Sequence, residues 1–175
     1  MRSSGSLAGG RPVSHADVAE RIASVGIVPV LVLESADLAV PVCEALLAGG
    51  VSTAEVTFRT PDAAQAIARI REALPQMLLG AGTLLSGDDV RRAHDAGAAF
   101  GVAPGLREAV VQAAQGIGLP LFPGVCTPGD IERGLALGLD VLKLFPAAHS
   151  AVRARSVPCS GRTATQVCGS CRPAG

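Results

Sequence analysis

A unit that repeats roughly every 20 residues is the feature that most limits what this chain can fold into. From Gly26 onward, each unit has a short apolar run, a polar or Gly/Pro turn and an amphipathic helical segment. The apolar runs, which predict strands, are Ile27–Leu33, Ala54–Phe58, Met77–Ala81, Ala99–Ala103, Leu119–Val125 and Val141–Phe145. The predicted helices lie near residues 35–48, 61–74, 86–96, 106–117 and 127–138. This alternation predicts parallel strands joined by right-handed helical crossovers.

Residues that favour helix ends stand at the boundaries of these segments. The predicted N-caps are Ser35, Ser86 and Thr127. The prolines that suit a first helical turn are Pro61 and Pro128. The glycines predicted to end helices in the left-handed conformation are Gly49, Gly97 and Gly138.

Six such units could form a doubly wound sheet or three-quarters of an eight-stranded barrel. The apolar runs are continuous, which indicates strands that are covered on both faces. No G-x-G-x-x-G motif follows the first strand, and polar residues recur at the C-terminal ends of successive strands. We therefore predict an α/β fold, an incomplete (β/α)8 TIM-type barrel with about six βα units.

Lys143 is the only lysine among the 15 Lys and Arg residues of the chain, and all the others are arginines. It stands within the apolar segment Asp140–Pro146, on a strand that we expect to be buried. Burial disfavours the charged ammonium, and the neutral amine is the form that attacks a ketone carbon to make an imine. A structural lysine, snorkelling to solvent or paired with an acid, is the alternative. As the sole lysine at the mouth of a barrel strand, Lys143 is predicted to be catalytic.

The predicted strand Ala54–Phe58 brings two more charged residues to the same end of the barrel. We expect Glu55 to lie inside the barrel near Lys143, where a carboxylate can move protons. A structural ion pair with Lys143 is compatible with that role in the resting protein. Arg59 ends the strand, and its planar guanidinium can hold a substrate carboxylate by two hydrogen bonds. An ordinary solvent-exposed arginine is the alternative.

Three further strand ends carry a weaker signal. They are Gly80-Ala-Gly-Thr83, Ala103-Pro-Gly105 and Pro123-Gly124. Glycine allows a substrate to approach the backbone closely, and the Thr83 hydroxyl can donate a hydrogen bond to a ligand oxygen. Taken alone, these are turn residues.

Composition argues against several classes of partner. The formal net charge is +0, Trp and Tyr are absent and aromatic residues make up 2%, so a nucleic-acid surface is not expected. No apolar run approaches the ~18 residues that cross a bilayer, and no signal peptide is recognised. We expect a soluble cytoplasmic protein that acts on a small molecule.

Metal or disulfide chemistry is not expected either. The three histidines do not converge with acids at metal-ligand spacing; they are His15 in the lead-in, His94 and His149. Cys43 and Cys126 are both expected to be buried free thiols. The pair Cys168–Cys171 has C-x-x-C spacing but no second pair of ligands.

The two ends of the chain differ from its centre. Residues 1–14 form a polar, Gly/Ser-containing lead-in that we expect to be flexible, and residues 15–148 form the barrel. Residues 149–175 contain four arginines and no acid, and lack Leu, Ile, Phe and Met, so we expect a disordered, aberrant tail. Our hypothesis is a frameshift or premature end in a GC-rich gene.

The motifs resemble those of the KDPG/KHG aldolases, bacterial class I aldolases that cleave 2-keto-3-deoxy-6-phosphogluconate and 4-hydroxy-2-oxoglutarate. The resemblance runs from about residue 15 to residue 148, in order and with similar spacing. The matching segments are Gly26-Ile-Val-Pro-Val30, Glu55-Val-Thr-Phe-Arg-Thr60, Gly80-Ala-Gly-Thr83, Pro104-Gly105 and Lys143-Leu-Phe-Pro146. The family implies a (β/α)8 barrel, usually a homotrimer, that acts in the Entner–Doudoroff pathway without a cofactor.

The resemblance also implies roles for individual residues. By position, Lys143 corresponds to the Schiff-base lysine, Glu55 to the general acid/base and Arg59 to the carboxylate-binding arginine. The residues that correspond to the pyruvate pocket are Thr83, Pro104 and Phe145. Arg59 also favours this branch over the 2-keto-3-deoxy-6-phosphogalactonate aldolases, which typically lack that arginine.

The resemblance stops after residue 148, where the family continues with a seventh strand, a Gly-Gly phosphate loop and an eighth βα unit. Without them, the substrate phosphate loses its donors and strands one and six become open edges. The first hypothesis is therefore a Schiff-base aldolase. The alternative is a catalytically impaired, truncated remnant of that enzyme. A third reading, a phosphosugar isomerase or synthase, leaves the lone lysine unexplained.

Overall fold

The computed structural model of the chain describes residues 14–146. The predicted lead-in falls almost wholly before this range, and the predicted tail, with His149 and three of the five cysteines, falls after it. The expectations for those two segments therefore lie outside the described residues.

Within residues 14–146, six parallel strands form one sheet in which each strand pairs with the next along the chain. The strands are β1 (Val30–Leu31), β2 (Thr53–Thr57), β3 (Leu78–Gly82), β4 (Phe100–Ala103), β5 (Leu121–Val125) and β6 (Lys143–Leu144). Sequential order is the topology of a barrel, because a doubly wound sheet reverses its order at a switch point. The prediction of an incomplete TIM-type barrel with six βα units is confirmed.

Helices precede and connect the strands. They are α1 (His15–Val25), a 3₁₀ turn (Ala36–Leu38) that leads into α2 (Ala39–Ala48), α3 (Ala63–Ala73), α4 (Gly87–Asp95), α5 (Glu108–Ile117) and α6 (Pro128–Ala136). The five connecting helices were all predicted. Helix α1 was not, because a single amphipathic helix ahead of the first strand lies outside the repeating unit.

Most of the predicted helix ends are confirmed. Ser86 and Thr127 cap α4 and α6 through reciprocal capping boxes, and Ser35 caps the 3₁₀ turn. Pro128 is the first residue of α6, whereas Pro61 precedes the N-cap of α3 and was predicted wrongly. The predicted left-handed glycines Gly97 and Gly138 have φ of 91° and 77°. Gly49 ends α2 as predicted, but its φ is −81° and not left-handed; Gly50 carries the positive φ of 82°.

The four strands β2 to β5 are buried along their whole length, as the continuous apolar runs predicted. For β1 the prediction of burial on both faces was wrong, because Val30 is exposed at the edge of the described sheet. Alternate residues such as Ala54, Val56 and Leu79 pack against the helices in the larger core. The other set faces the inside of the barrel. A smaller core fills this interior, formed by Val18, Leu78, Phe100, Val102 and Phe122. Burial on both faces fixes which residues of each strand can face the interior.

Helix α1 closes the N-terminal end of this interior. Val18 of α1 is fully buried in the inner core, and Ile22 packs against it. A capping box between Ser14 and Asp17 starts the helix, and Gly26 ends it at a φ of 82°. The apolar face of α1 thus covers the N-terminal end of the barrel interior.

His15 anchors α1 to β5 and does not belong to the lead-in, where the sequence placed it. Its Nε2 accepts a hydrogen bond from the Leu121 backbone N–H at 3.0 Å, and its ring meets Phe122 edge-on with centroids 5.7 Å apart. By extension of the pairing of Gly124 with Lys143, Leu121 lies opposite Asp140, before β6 begins. A histidine side chain therefore satisfies a backbone donor that has no strand partner there.

The two outer strands of the described sheet are β1 and β6. Three threonine hydroxyls tie β2 and the turn after it to residues in and around β1. Thr53, Thr57 and Thr60 donate to the backbone carbonyls of Ile27, Leu31 and Leu33, respectively. Val30 and Val32 are 51% and 48% exposed.

No helix within residues 14–146 is long and apolar enough to cross a bilayer.

Replacing His15 with alanine is expected to destabilise the fold by about 1–3 kcal/mol, because it leaves the buried Leu121 N–H without an acceptor. The matched control is His94→Ala on the exposed face of α4, expected to change stability by less than about 0.5 kcal/mol. Urea unfolding of both variants measures the difference. Equal stability of the two variants would mean that His15 does not anchor the helix.

Candidate active site

The alternation of β2 and β6 sets two charged side chains on the inner face of the barrel. Ala54 and Val56 face the helices, so Glu55 between them faces inward. Leu142 packs in the helix-facing core, while Val141 packs against the inner core, so Lys143 shares the inner face with Val141. The strand pattern alone therefore directs Glu55 and Lys143 toward each other.

The two groups meet inside the barrel as predicted. Lys143 Nζ lies 3.9 Å from Glu55 Oε2, and the side chains are 18% and 7% exposed. At this distance the charges attract each other, but the separation exceeds that of a direct hydrogen bond. The Lys143 ammonium also lies 5.3 Å from the centroid of the Phe145 ring, within the range of a cation–π contact. The amine is thus held in place without being locked to the carboxylate.

Burial dominates the electrostatics of Glu55. It raises the pKa of the Glu55 carboxyl above its ordinary value, while the positive charges of Lys143 and Arg59 act in the opposite direction. A carboxyl whose pKa is raised in this way is suited to both accepting and returning a proton.

Gly82 provides the space that the Glu55 carboxylate occupies. A Cβ built on Gly82 would lie 1.9 Å from Glu55 Oε1 and 2.5 Å from its carboxyl carbon. Any larger residue at the end of β3 would therefore displace the carboxylate. From the sequence, we interpreted this glycine as one that lets the substrate approach the backbone. The structure shows that it makes room for the Glu55 carboxylate.

Arg59 lies in the turn that follows β2, and its side chain is exposed. The turn is fixed to both neighbouring strands: the Phe58 N–H donates to Gly82 O at 2.8 Å, and the Thr60 hydroxyl donates to Leu33 O at 2.8 Å. Arg59 is close enough to lower the pKa of Glu55. The guanidinium is therefore available to an anion at the C-terminal end of the barrel.

Thr83 follows β3 with a φ of 59°, in the left-handed region. This conformation is rare for a β-branched residue and costs roughly 1–3 kcal/mol, so it persists only where the surrounding structure imposes it. Its side chain is half-buried at the C-terminal end of the sheet. Sequence reasoning could not detect the strain, because nothing in the motif Gly80–Thr83 specifies a positive φ at threonine.

Pro104 follows β4 at the same end of the sheet. It lines a pocket of about 260 Å³ together with Leu84, Leu85, Gly105 and Arg107. This pocket lies between the loops after β3 and β4 and does not include the Lys143–Glu55 pair. The structure thus brings Lys143, Glu55 and Phe145 together and places Arg59, Thr83 and Pro104 around the same C-terminal end. Within residues 14–146, no group of three His, Cys, Asp or Glu is arranged to hold a metal ion. Cys43 is buried as predicted, whereas the prediction for Cys126 was wrong: it is exposed, because β5 ends at Val125.

Comparison with known proteins assigns the family. The family model described as KDPG and KHG aldolase matches residues 18–157. The 2-dehydro-3-deoxy-phosphogluconate aldolase of Treponema pallidum is 45% identical over 128 residues, which cover 73% of this chain and 61% of that protein. The KHG/KDPG aldolase of Escherichia coli K12 is 41% identical over 138 residues, or 78% of this chain and 65% of that protein.

Solved structures agree in fold. The 2-keto-3-deoxy-6-phosphogluconate aldolase of Zymomonas mobilis ZM4, solved with 3-phosphoglycerate, matches with a TM-score of 0.73 at 39% identity, covering 78% of this chain and 65% of that one. The KDPG aldolase of Legionella pneumophila, solved with pyruvate as a covalent carbinolamine, matches with a TM-score of 0.73 at 35% identity and the same coverage.

The chain spans 61% and 65% of the length of the Treponema and Escherichia relatives. Over that span it carries the order of strands, the inward lysine and the inward glutamate described above. The chain belongs to the KDPG and KHG aldolase family.

Proposed function

We propose that the protein is a class I aldolase that cleaves 2-dehydro-3-deoxy-6-phosphogluconate to pyruvate and glyceraldehyde 3-phosphate, with Lys143 as the imine-forming residue. 4-Hydroxy-2-oxoglutarate, cleaved to pyruvate and glyoxylate, is the second substrate. The observation that carries the proposal is the approach of Lys143 Nζ to Glu55 Oε2 at 3.9 Å on the inner face of the barrel. The Legionella relative supports it, because that protein holds pyruvate as a covalent carbinolamine.

The reaction begins when the Lys143 amine adds to the C2 ketone of the substrate. The resulting carbinolamine loses its C2 oxygen as water and becomes an iminium ion. The C3–C4 bond then breaks, and its electron pair moves to the iminium nitrogen to give an enamine. Protonation of the enamine at C3, followed by addition of water at C2, releases pyruvate and restores the amine. The iminium nitrogen serves as the electron sink, so the proposed mechanism uses no cofactor.

Glu55 moves the proton that this cleavage releases. As the C3–C4 bond breaks, the C4 hydroxyl becomes an aldehyde and its proton passes to the Glu55 carboxylate. Because burial raises the pKa of Glu55, the protonated form can return the proton later in the cycle. Glu55 Oε2 lies 3.9 Å from Lys143 Nζ, so a substrate bound to the amine also lies beside the carboxylate.

Arg59 and three other residues bind the pyruvyl part of the substrate in this proposal. Arg59 holds the carboxylate through its guanidinium, which is exposed at the mouth of the barrel. Thr83, Pro104 and Phe145 form the pocket for the C1–C3 unit. The strained backbone of Thr83 supports this assignment, because such strain is concentrated at functional sites.

The family membership also supports the wider expectations for the protein. We expect it to act in the cytoplasm, as a homotrimer, in the Entner–Doudoroff route of sugar-acid breakdown. The alternative function is a catalytically impaired protein of the same family, which the trapping experiment distinguishes from an active aldolase.

Trapping with pyruvate and sodium borohydride tests the proposal directly. We expect the native chain to gain the mass of one reduced pyruvate adduct, because hydride adds to C2 of the imine and makes the bond permanent. Lys143→Arg is expected to gain none, and it leaves no other lysine in the chain to react. Mass spectrometry of both proteins gives the result. If the native chain is folded but gains no adduct, the result contradicts the proposal and favours the catalytically impaired alternative.

Replacing Arg59 with methionine is expected to raise the pyruvate concentration for half-maximal trapping by about 10- to 100-fold. Hydrogen bonds to charged groups contribute roughly 1.5–3 kcal/mol, and about 1.4 kcal/mol corresponds to a factor of ten. The maximal trapping rate should change much less, because Arg59 does not take part in the covalent step. Arg91→Met is the control, since Arg91 pairs with Asp88 on α4. Equal effects of the two changes would remove Arg59 from the site.

Replacing Glu55 with glutamine is expected to stabilise the fold increasingly as the pH rises from the ordinary pKa of a glutamate through the raised pKa of Glu55 in the folded chain. Because the pKa of Glu55 is raised in the folded chain, its favourable contribution is complete below the unfolded value and is lost as the pH passes the raised value. Glutamine does not titrate and suffers no such loss. Thermal unfolding over this range measures the effect, with exposed Glu44→Gln as the control. A stability difference between native and Glu55→Gln chains that does not vary with pH would contradict it.

A further inference from the structure

Gly124 lies beside Lys143 on the inner face of the sheet. The two residues are register partners in the pair of β5 and β6, and neighbouring strands lie about 4.8 Å apart. Phe122, two residues earlier in β5, packs in the inner core, so the alternation of the strand directs position 124 to the same face. The position next to the proposed imine-forming lysine therefore carries no side chain.

Backbone from the loop between β4 and α5 fills the space that a side chain would need. A Cβ built on Gly124 would lie 2.2 Å from the Pro104 carbonyl oxygen, 2.6 Å from its carbonyl carbon and 3.2 Å from the Gly105 nitrogen. Backbone atoms cannot rotate away as the end of a side chain can. The Pro104–Gly105 peptide rests against β5 only because residue 124 is glycine.

This loop is fixed at both ends. Ala103 of β4 is paired with Pro123 of β5, and α5 begins at Glu108. Arg107 ties the loop to the one before it, since its Nη1 donates to Leu85 O at 3.3 Å. A methyl group at position 124 would therefore move the whole peptide, by roughly 1 Å or more to reach an ordinary contact distance.

We propose that Gly124 is a positioning residue for imine formation. Its missing side chain lets the Pro104–Gly105 peptide lie across the end of β5, where this backbone forms a wall beside the register partner of Lys143. The inference rests on the proposed function, because the wall affects chemistry only where Lys143 captures a ketone. Gly124 touches no reacting atom and acts through the backbone of Pro104.

Gly124→Ala tests the inference against a matched glycine. Gly101→Ala adds the same methyl group in the neighbouring strand, 2.8 Å from Leu84 Cδ1 and 3.0 Å from Leu121 Cδ1, but it meets side-chain ends in the helix-facing core. Both changes should lower thermal stability. Only Gly124→Ala should raise the pyruvate concentration for half-maximal trapping, by about 10- to 100-fold, because a displacement of ~1 Å beside a reacting group costs up to about 10²-fold.

The comparison is made per folded molecule, at a temperature where circular dichroism shows both variants to be folded. A Gly124→Ala protein that traps pyruvate as well as Gly101→Ala does would overturn the inference. If Gly124→Ala does not fold, Arg107→Ala replaces it, because that change frees the loop without adding an atom to the sheet. A several-fold rise in half-saturating pyruvate then supports the inference, and an unchanged value overturns it.

Amide hydrogen exchange over residues 104–109 separates this inference from the proposed function. Absence of any adduct in the native chain would contradict the proposed function and, with it, the role of Gly124 in imine formation, but not the structural part of the inference, which is that Gly124 determines where the loop lies. The exchange rates then decide the position of the loop: faster exchange in Gly124→Ala, or in Arg107→Ala where the former does not fold, supports the inference. Rates equal to those of Gly101→Ala overturn it.

Discussion

Burial of the parallel sheet on both of its faces is the constraint on which the rest of this structure depends. Helices cover the outer face, while the inner face packs on itself around Phe100 and Phe122 and is closed below by α1. Strand geometry alternates side chains between the two cores, so every inner position is determined once one outer position is fixed. Glu55 and Lys143 point toward each other because their neighbours in the chain are committed to the helix-facing core.

The inner face is layered along the barrel. Aromatic and aliphatic side chains fill its N-terminal half, where His15 and Val18 hold α1 against the sheet. The charged pair lies beyond this apolar layer, and the side chains of Lys143 and Glu55 are only 18% and 7% exposed. That arrangement accounts for the raised pKa of Glu55, because desolvation outweighs the favourable effect of two nearby cations.

Glycines complete the arrangement by leaving inner positions empty. Gly80 leaves room for the Phe100 ring, Gly82 for the Glu55 carboxylate and Gly124 for the Pro104 carbonyl. In each case the space is used by a different element of the fold. These glycines therefore allow neighbouring elements to approach the strands closely, and one of them, Gly82, sets the position of the Glu55 carboxylate.

The sequence by itself determined the number and order of the strands, the five connecting helices and the two charged residues of the interior. It could do so because the repeat of apolar runs and the alternation along a strand are local properties of the chain. Only the tertiary structure decided that α1 covers the N-terminal end of the interior and that His15 accepts the hydrogen bond of the Leu121 N–H. The positive φ of Thr83 also became apparent only in the fold. Contacts such as His15 with Leu121 join residues 106 positions apart, and no local pattern reports them. The same holds for Gly124, which looks like an ordinary turn residue until folding brings the Pro104 peptide against it.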